Sequence, residues 1–145
     1  MANGDVTVQV KVSGTLSGGD AIRTFDESKT YSSIATVFDR VITLPATGTV
    51  VDLLAIGTNA AGATLTAWNC LIVYNMDTTN AVRIGLKDTG ADTAYVRLNA
   101  GEHFVLERDQ LDVNTTGAAY GAYNSIDTVT AESIAGTPTL QVVAF

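Results

Sequence analysis

The chain has 145 residues, of which 46% are hydrophobic and only 16% are charged, and its formal net charge is −7. A chain of this length can form one domain that buries roughly two thirds of its unfolded surface, so it needs neither a metal nor a disulfide to hold a core. Its 8 Lys and Arg residues are scattered singly, which argues against direct nucleic-acid binding because phosphate contacts require clustered cations.

The first predicted element is a strand over residues 6–12, where valines alternate with polar residues and share one face. Residues 1–5 are mostly small and predict a flexible N-terminal arm. They lack the basic and apolar parts of a signal peptide, and no segment has the ~18 apolar residues that span a membrane. We therefore expect a soluble product of the cytoplasm with no membrane partner. The Gly-rich residues 13–30 predict a long surface loop or a weak hairpin.

Residues 31–44 give an ambiguous pattern. Their apolar residues have helical spacing, and Ser32 or Ser33 would suit a helix N-cap. Many of these residues are β-branched, however, and such side chains lose rotamer freedom in a helix and pack well in a sheet. Because Pro45 also closes the segment, we predict a strand.

Two later segments, residues 49–57 and 70–74, are apolar on both faces except for Asp52, and they predict strands that are covered on both sides. In an antiparallel sandwich one face of each strand packs in the core, so the other face needs a second cover. A neighbouring subunit is the simplest cover. We therefore predict Leu53, Ile72 and Val73 as subunit-interface residues.

The segment Trp68–Leu106 contains successive strands with period-2 alternation, separated by turns rich in Asn, Asp, Thr and Gly. One of these turns is centred on Gly101. The alternation predicts the following core residues: Val82, Ile84, Val96, Leu98, Phe104 and Leu106.

A last turn at residues 136–138 precedes a C-terminal strand over residues 139–145. The register of the preceding strand is unclear because Ile126 and Val129 do not alternate. About 8–10 short strands with Gly and Asx turns predict an all-β fold, a single-domain antiparallel β-sandwich over residues 1–145. We prefer its jelly-roll form.

The sharpest candidate for chemistry is the sequence DTGAD at residues 88–92, which resembles the active-site loop of retroviral-type aspartic proteases. A hairpin turn is the favoured interpretation, because Gly90 stands where a turn is expected and Lys87 would bring a cation beside a catalytic pair. His103, the single histidine, would have to serve any nucleophilic triad, and its position predicts an exposed or interface side chain.

Other chemical groups are sparse. Cys70 lies in an apolar run and predicts a buried thiol, and one His with one Cys is too few for a zinc site. The acidic residues Asp26, Glu27, Asp88, Asp92, Asp109 and Asp112 suit solvated loops better than a calcium site. We therefore predict no enzyme activity and no cofactor.

The succession of VVDLLAIG, CLIVYNMDTTNAVRIGL, YVRLNAGEHFVL and a final GTPTLQVVAF resembles the capsid decoration, or cement, proteins of tailed bacteriophages. The resemblance covers about Val50 to Phe145. It implies a homotrimer on the outer surface of the virion that clamps the phage major capsid protein and stabilises the shell. In that family the N-terminal segment often contacts the capsid or a neighbouring subunit, which here corresponds to Met1, Ala2, Asn3, Gly4 and Asp5.

Two other functions remain open at this stage. One is another structural role in a phage, as a tail, neck or fibre-head component with the same sandwich. The other is a carbohydrate-binding module that uses Trp68 or the tyrosines to stack on sugar rings.

Overall fold

The computed structural model describes residues 3–12, 14, 25–55, 65, 67–89, 92–111 and 123–145. Where the sequence predicts one domain, the chain divides into two compact units, Met1–Ala35 and Thr36–Phe145. All of the regular structure described is β-strand, as predicted. The strands are β1 (Gly4–Val12), β2 (Phe25–Ile34), β3 (Phe38–Thr43), β4 (Val50–Ala55), β5 (Leu71–Asn75), β6 (Val82–Asp88), β7 (Thr93–Leu98), β8 (His103–Leu106), β9 (Gln110–Leu111), β10 (Asn124–Ser133) and β11 (Thr139–Ala144).

The first unit is a 2-stranded antiparallel sheet of β1 and β2. The predicted flexible arm over residues 1–5 is in part regular structure, because β1 already begins at Gly4, whereas Met1 and Ala2 lie outside the described residues. Most of the predicted loop over residues 13–30 also lies outside them. Residues 25–30 belong to β2, so the weak-hairpin alternative describes this part better than a loop.

The second unit consists of two packed antiparallel sheets. One has the strand order β3-β11-β5-β8, and the other has the order β4-β10-β6-β7, with β9 paired to the end of β10. The predicted antiparallel β-sandwich is therefore confirmed for this unit. The ambiguous residues 31–44 form strand and not helix, as the β-branched residues predict. They are not the single strand predicted, however, because β2 ends at Ile34 and β3 begins at Phe38 in a different sheet.

The core lies between these two sheets and is built from alternate residues of their strands. The six predicted core residues are confirmed: Val82, Ile84 and Leu98 are buried, and Val96, Phe104 and Leu106 pack against the buried cluster as half-buried side chains. Other members of the cluster are Phe38, Leu44, Leu53, Leu54, Leu71, Val73, Leu86, Ile126, Val129, Ala131, Leu140, Val142 and Ala144. Within the described residues there is no helix that is long and apolar enough to cross a membrane.

A bulge in β10 resolves the unclear register of that strand. Ile126 pairs with Asp88 of β6 while Thr128 pairs with Lys87, so Asp127 is an extra residue on β10. An extra residue breaks the alternation of a strand by one position. Ile126 and Val129 can therefore both be fully buried in the core.

Candidate interaction surfaces

The outer face of the β3-β11-β5-β8 sheet is nearly uncharged, and we call it the neutral face. Strand alternation places these side chains on it: Asp39, Val41 and Thr43; Thr139, Gln141 and Val143; Ile72 and Tyr74; His103 and Val105. Val143, Ile72 and Val105 are direct cross-strand neighbours and form an apolar row. In a chain of net charge −7, a sheet face with so few ionised groups is suited to contact with protein.

The polar groups of the neutral face already have partners at one edge. The Gln141 Nε2 group donates to Asp39 Oδ1 at 3.1 Å, and the hydroxyls of Thr43 and Thr139 are 3.1 Å apart. Val41 stands beside them on the edge strand β3, with 60% of its surface exposed. The polar atoms can therefore remain hydrogen-bonded when another surface covers Val41.

The predicted interface residues fall on different sides of the sandwich. Ile72 lies on the neutral face and is half-buried, so its assignment to a subunit interface stays a prediction. Leu53 and Val73 have 0% exposure and belong to the core, so their assignment to a subunit surface is corrected. Val73 alternates with Ile72 and points inward, while Leu53 is the extra residue where β4 shifts register against β10 between Asp52 and Leu54.

The hairpin of the first unit has a second apolar surface, which we call the valine face. It consists of Val6, Val8, Val10 and Val12 on β1 and Phe25, Glu27, Lys29 and Tyr31 on β2. Val10, Val12 and Phe25 are 40%, 48% and 50% exposed. The Lys29 Nζ atom lies 4.6 Å from the centre of the Tyr31 ring.

The opposite face of the hairpin is polar, and its side chains are paired with one another. Thr7 Oγ1 lies 2.9 Å from Thr30 Oγ1, and Gln9 Nε2 donates to Asp26 Oδ1 at 2.7 Å. Lys11 Nζ is 3.7 Å from Asp26 Oδ2. The polar face thus suits water, and the valine face is the one that gains from a cover.

The outer face of the β4-β10-β6-β7 sheet is polar, and its neighbouring side chains are in contact. Arg83 Nη1 lies 3.1 Å from Glu132 Oε2, and the Arg83 guanidinium is 5.7 Å from the centre of the Tyr95 ring. Gly85 lies beneath this layer: a Cβ atom at Gly85 would stand 2.5 Å from Thr130 Oγ1 and 3.4 Å from a Tyr95 ring carbon. The glycine is therefore required by the close approach of Thr130.

Asp88, the first residue of the DTGAD sequence, is buried and binds the connection between β6 and β7. Its Oδ1 atom accepts a hydrogen bond from the Asp92 backbone N–H at 2.9 Å, and its Oδ2 atom accepts one from Asn124 Nδ2 at 2.9 Å. Asp88 N–H also donates to Asp92 O at 2.9 Å. Both carboxylate oxygens thus have structural partners. Gly90 and Ala91 lie outside the described residues.

The expectation that Lys87 stands beside this carboxylate is wrong. Lys87 is exposed and Asp88 is buried, because neighbouring residues of a strand point to opposite faces. The burial and hydrogen bonds of Asp88 are better evidence for a turn-binding role than the lysine is.

Asn75 is a fully buried polar residue that the sequence does not single out. Its Nδ2 group donates to the backbone oxygens of Asn80 at 2.9 Å, Asn99 at 3.0 Å and Leu98 at 3.3 Å. Its Oδ1 atom accepts from the Asp77 backbone N–H at 3.2 Å. Asn75 therefore joins the β5–β6 loop to the turn between β7 and β8.

Two acidic side chains stabilise the same pair of turns. The pKa of Asp77 is lowered from 3.8 to about 2, first by the hydrogen bond from the Asn80 backbone N–H and next by that from Thr79. The pKa of Glu102 is lowered by the hydrogen bond from the Asn99 backbone N–H. In both cases a hydrogen-bond donor favours the ionised form.

An open groove of about 430 Å³ lies beside this turn, and its lining includes edge residues of both sheets. Val96 and Phe104 are half-buried in it, and Arg97, Glu102 and His103 are exposed. The His103 side chain is exposed, as predicted, and it points to the other face of β8 from Phe104. Within the described residues, no group of three or more His, Cys, Asp or Glu side chains is arranged to hold a metal ion.

The aromatic residues considered for sugar binding differ in exposure. Trp68 is buried in the core and has no ring face open to a sugar. Tyr95 and Tyr123 are exposed.

Cys70 is buried, as predicted. Of the predicted N-terminal contact residues, Asn3, Gly4 and Asp5 are exposed.

Comparison of the chain with protein-family models, with curated proteins and with solved structures finds no match in any of the three.

Proposed function

We propose that this protein is a structural virion protein that binds the outside of an assembled phage capsid as a trimer and stabilises the shell. The observation that carries the proposal is the neutral face. It is a sheet surface with an apolar row that crosses three of its strands, next to polar groups that already have partners. Such a surface is typical of the core of a protein interface, where charged residues are depleted.

The strand order supports the jelly-roll form of the sandwich, which we propose together with this role. The chain crosses repeatedly between the sheets β3-β11-β5-β8 and β4-β10-β6-β7. This pattern suits a sandwich of eight strands in two Greek keys, an architecture found in viral capsid and lectin domains. Because one fold serves many functions, the strand order supports the role less strongly than the neutral face does.

A decoration protein acts by binding the assembled lattice and not its separate parts. Each occupied site then stabilises the shell by mass action. A trimer adds avidity, because one bound subunit raises the effective concentration of the other two at their sites. The exposed residues Asn3, Gly4 and Asp5 are proposed contacts with the capsid or with a neighbouring subunit.

The proposal is tested by adding the purified protein to expanded phage heads that lack a decoration protein. We expect saturable co-sedimentation with the heads and a higher melting temperature of the shell. The variant Val41→Lys alters the neutral face and should reduce this binding. The matched control is Val50→Lys, because Val50 is a 61% exposed valine on the edge strand β4 of the other sheet. Equal heat stability of the shell with and without the protein would refute the proposal.

A further inference from the structure

The chain has two apolar sheet faces, the valine face and the neutral face, that are exposed in the single chain. We infer that the valine face of one copy packs on the neutral face of a second copy, head to tail. This inference rests on the proposed function, because it states how the proposed oligomer is built. Its partner is a second copy of this chain.

The hairpin needs a cover for its own stability. A single two-stranded sheet is marginally stable in water, and it usually requires a third strand or a packed face. Among the described strands β1 pairs only with β2, and Val10, Val12 and Phe25 keep 40–50% of their surface exposed. Packing this face on another sheet removes that apolar area from water and stabilises the hairpin as well as the contact.

The neutral face has the size and shape for such a contact. Its 4 strands are spaced by about 4.8 Å, so the face is roughly 15–20 Å wide. A hairpin of 9 to 10 residues has a length of about 30 Å, enough to cross it. Two sheets pack face to face at about 10 Å, with their strands either nearly aligned or nearly perpendicular.

The charges on the two faces favour this pairing over a pairing of two neutral faces. Asp39 is the carboxylate of the neutral face, and Lys29 is the cation of the valine face. Two neutral faces packed together would bury two copies of Asp39 without a cation between them. A valine face brings one cation, Lys29, together with one carboxylate, Glu27, so it adds no net charge beside Asp39.

A head-to-tail contact of this kind uses different patches on the two copies. Repetition of such a contact closes into a ring when the rotation between copies permits it. A ring of three copies satisfies every valine face and every neutral face. The inferred contact is therefore compatible with the proposed trimer, and the rotation between copies sets the number in the ring.

The test uses one variant in each face and a matched control for each. Val10→Lys places a cation on the valine face, where its cross-strand neighbour Glu27 can pair with it and preserve the hairpin. Its control is Gln9→Lys, which makes the same change on the polar face beside Asp26. Val41→Lys alters the neutral face, and its control is Val50→Lys on the other sheet. Circular dichroism and thermal melting establish that each variant folds.

Molar mass is measured by light scattering after gel filtration. We expect the parent and both controls to form the oligomer. Val10→Lys and Val41→Lys should each weaken self-association by about tenfold or more, because each places a hydrated cation in an apolar contact. An equal mixture of these two variants should give a dimer and nothing larger. The Val41→Lys copy keeps an intact valine face and the Val10→Lys copy keeps an intact neutral face, so one contact forms and the ring cannot close.

Other modes of self-association predict different molar masses for these variants. If Val10→Lys leaves the oligomer intact while Val41→Lys disrupts it, like faces pack together and the inference is overturned. A monomeric parent also overturns it, and then capsid binding by that monomer would retain the decoration role while refuting the trimer. Conversely, a head-to-tail oligomer that does not bind phage heads would retain this inference and refute the proposed function.

Discussion

The substitution Asn75→Leu tests whether one buried amide joins the two turns at the end of the sandwich. It keeps a side chain of similar size but leaves the backbone oxygens of Asn80 and Asn99 and the N–H of Asp77 without their partner. Each lost hydrogen bond costs about 1 kcal/mol, so we expect a loss of about 3 kcal/mol in the free energy of unfolding. For a domain of this size that corresponds to a melting temperature lower by roughly 10 °C.

Urea unfolding followed by tryptophan fluorescence measures this change, because Trp68 is buried in the same core. The control is Asn99→Leu, since Asn99 is exposed and its side-chain bonds, with Arg97 Nε and with the Glu102 carboxylate, are made to other exposed side chains. We expect the control to lower stability by less than about 0.5 kcal/mol. Equal stability of the two variants would contradict the role given to Asn75.

Three further substitutions test other parts of the structure. Ionised Asp77 contributes stability above pH 3.8 that is lost as the pH falls towards its folded pKa of about 2. In Asp77→Asn the free energy of unfolding, measured in urea, should therefore change less between pH 5 and pH 2. Gly85→Ala should destabilise the protein by about 1–3 kcal/mol through its clash with Thr130, and adding Thr130→Ala should recover most of that loss in a double-mutant cycle. Asp88→Ala should lower the unfolding free energy by about 2 kcal/mol through two lost hydrogen bonds. The structural role of Asp88 would be contradicted by pepstatin-sensitive peptide cleavage that disappears in Asp88→Asn, because Asp88 would then be catalytic.

Most of the sandwich can be predicted from the sequence, because its strands have period-2 alternation and its turns contain residues suited to them. Gly101 and Gly136 have positive φ angles of 73° and 65°, as turns centred on glycine require. The strand β2 lacks such a signal: its residues are mostly polar, and its pairing with β1 determines its structure. A pairing between distant segments is not visible in a local pattern.

The sides of the apolar strands could not be assigned from the sequence. The sequence of a strand that is apolar on both faces does not indicate which face meets the core. It therefore places Val73 at a subunit interface, whereas Val73 lies in the core. For Leu53 the cause is a shift in register between β4 and β10, which buries two consecutive residues, Leu53 and Leu54. The roles of Asn75 and Asp88 depend on partners that are distant in sequence, among them Leu98 and Asn124.

We propose that this protein decorates the outer surface of a phage capsid as a trimer. Electron cryomicroscopy of undecorated expanded heads incubated with the purified protein tests it most directly. We expect additional density on the outer surface at three-fold or quasi-three-fold positions, into which three copies of the sandwich fit. Heads without such density, or density confined to the neck or tail, would contradict the claim.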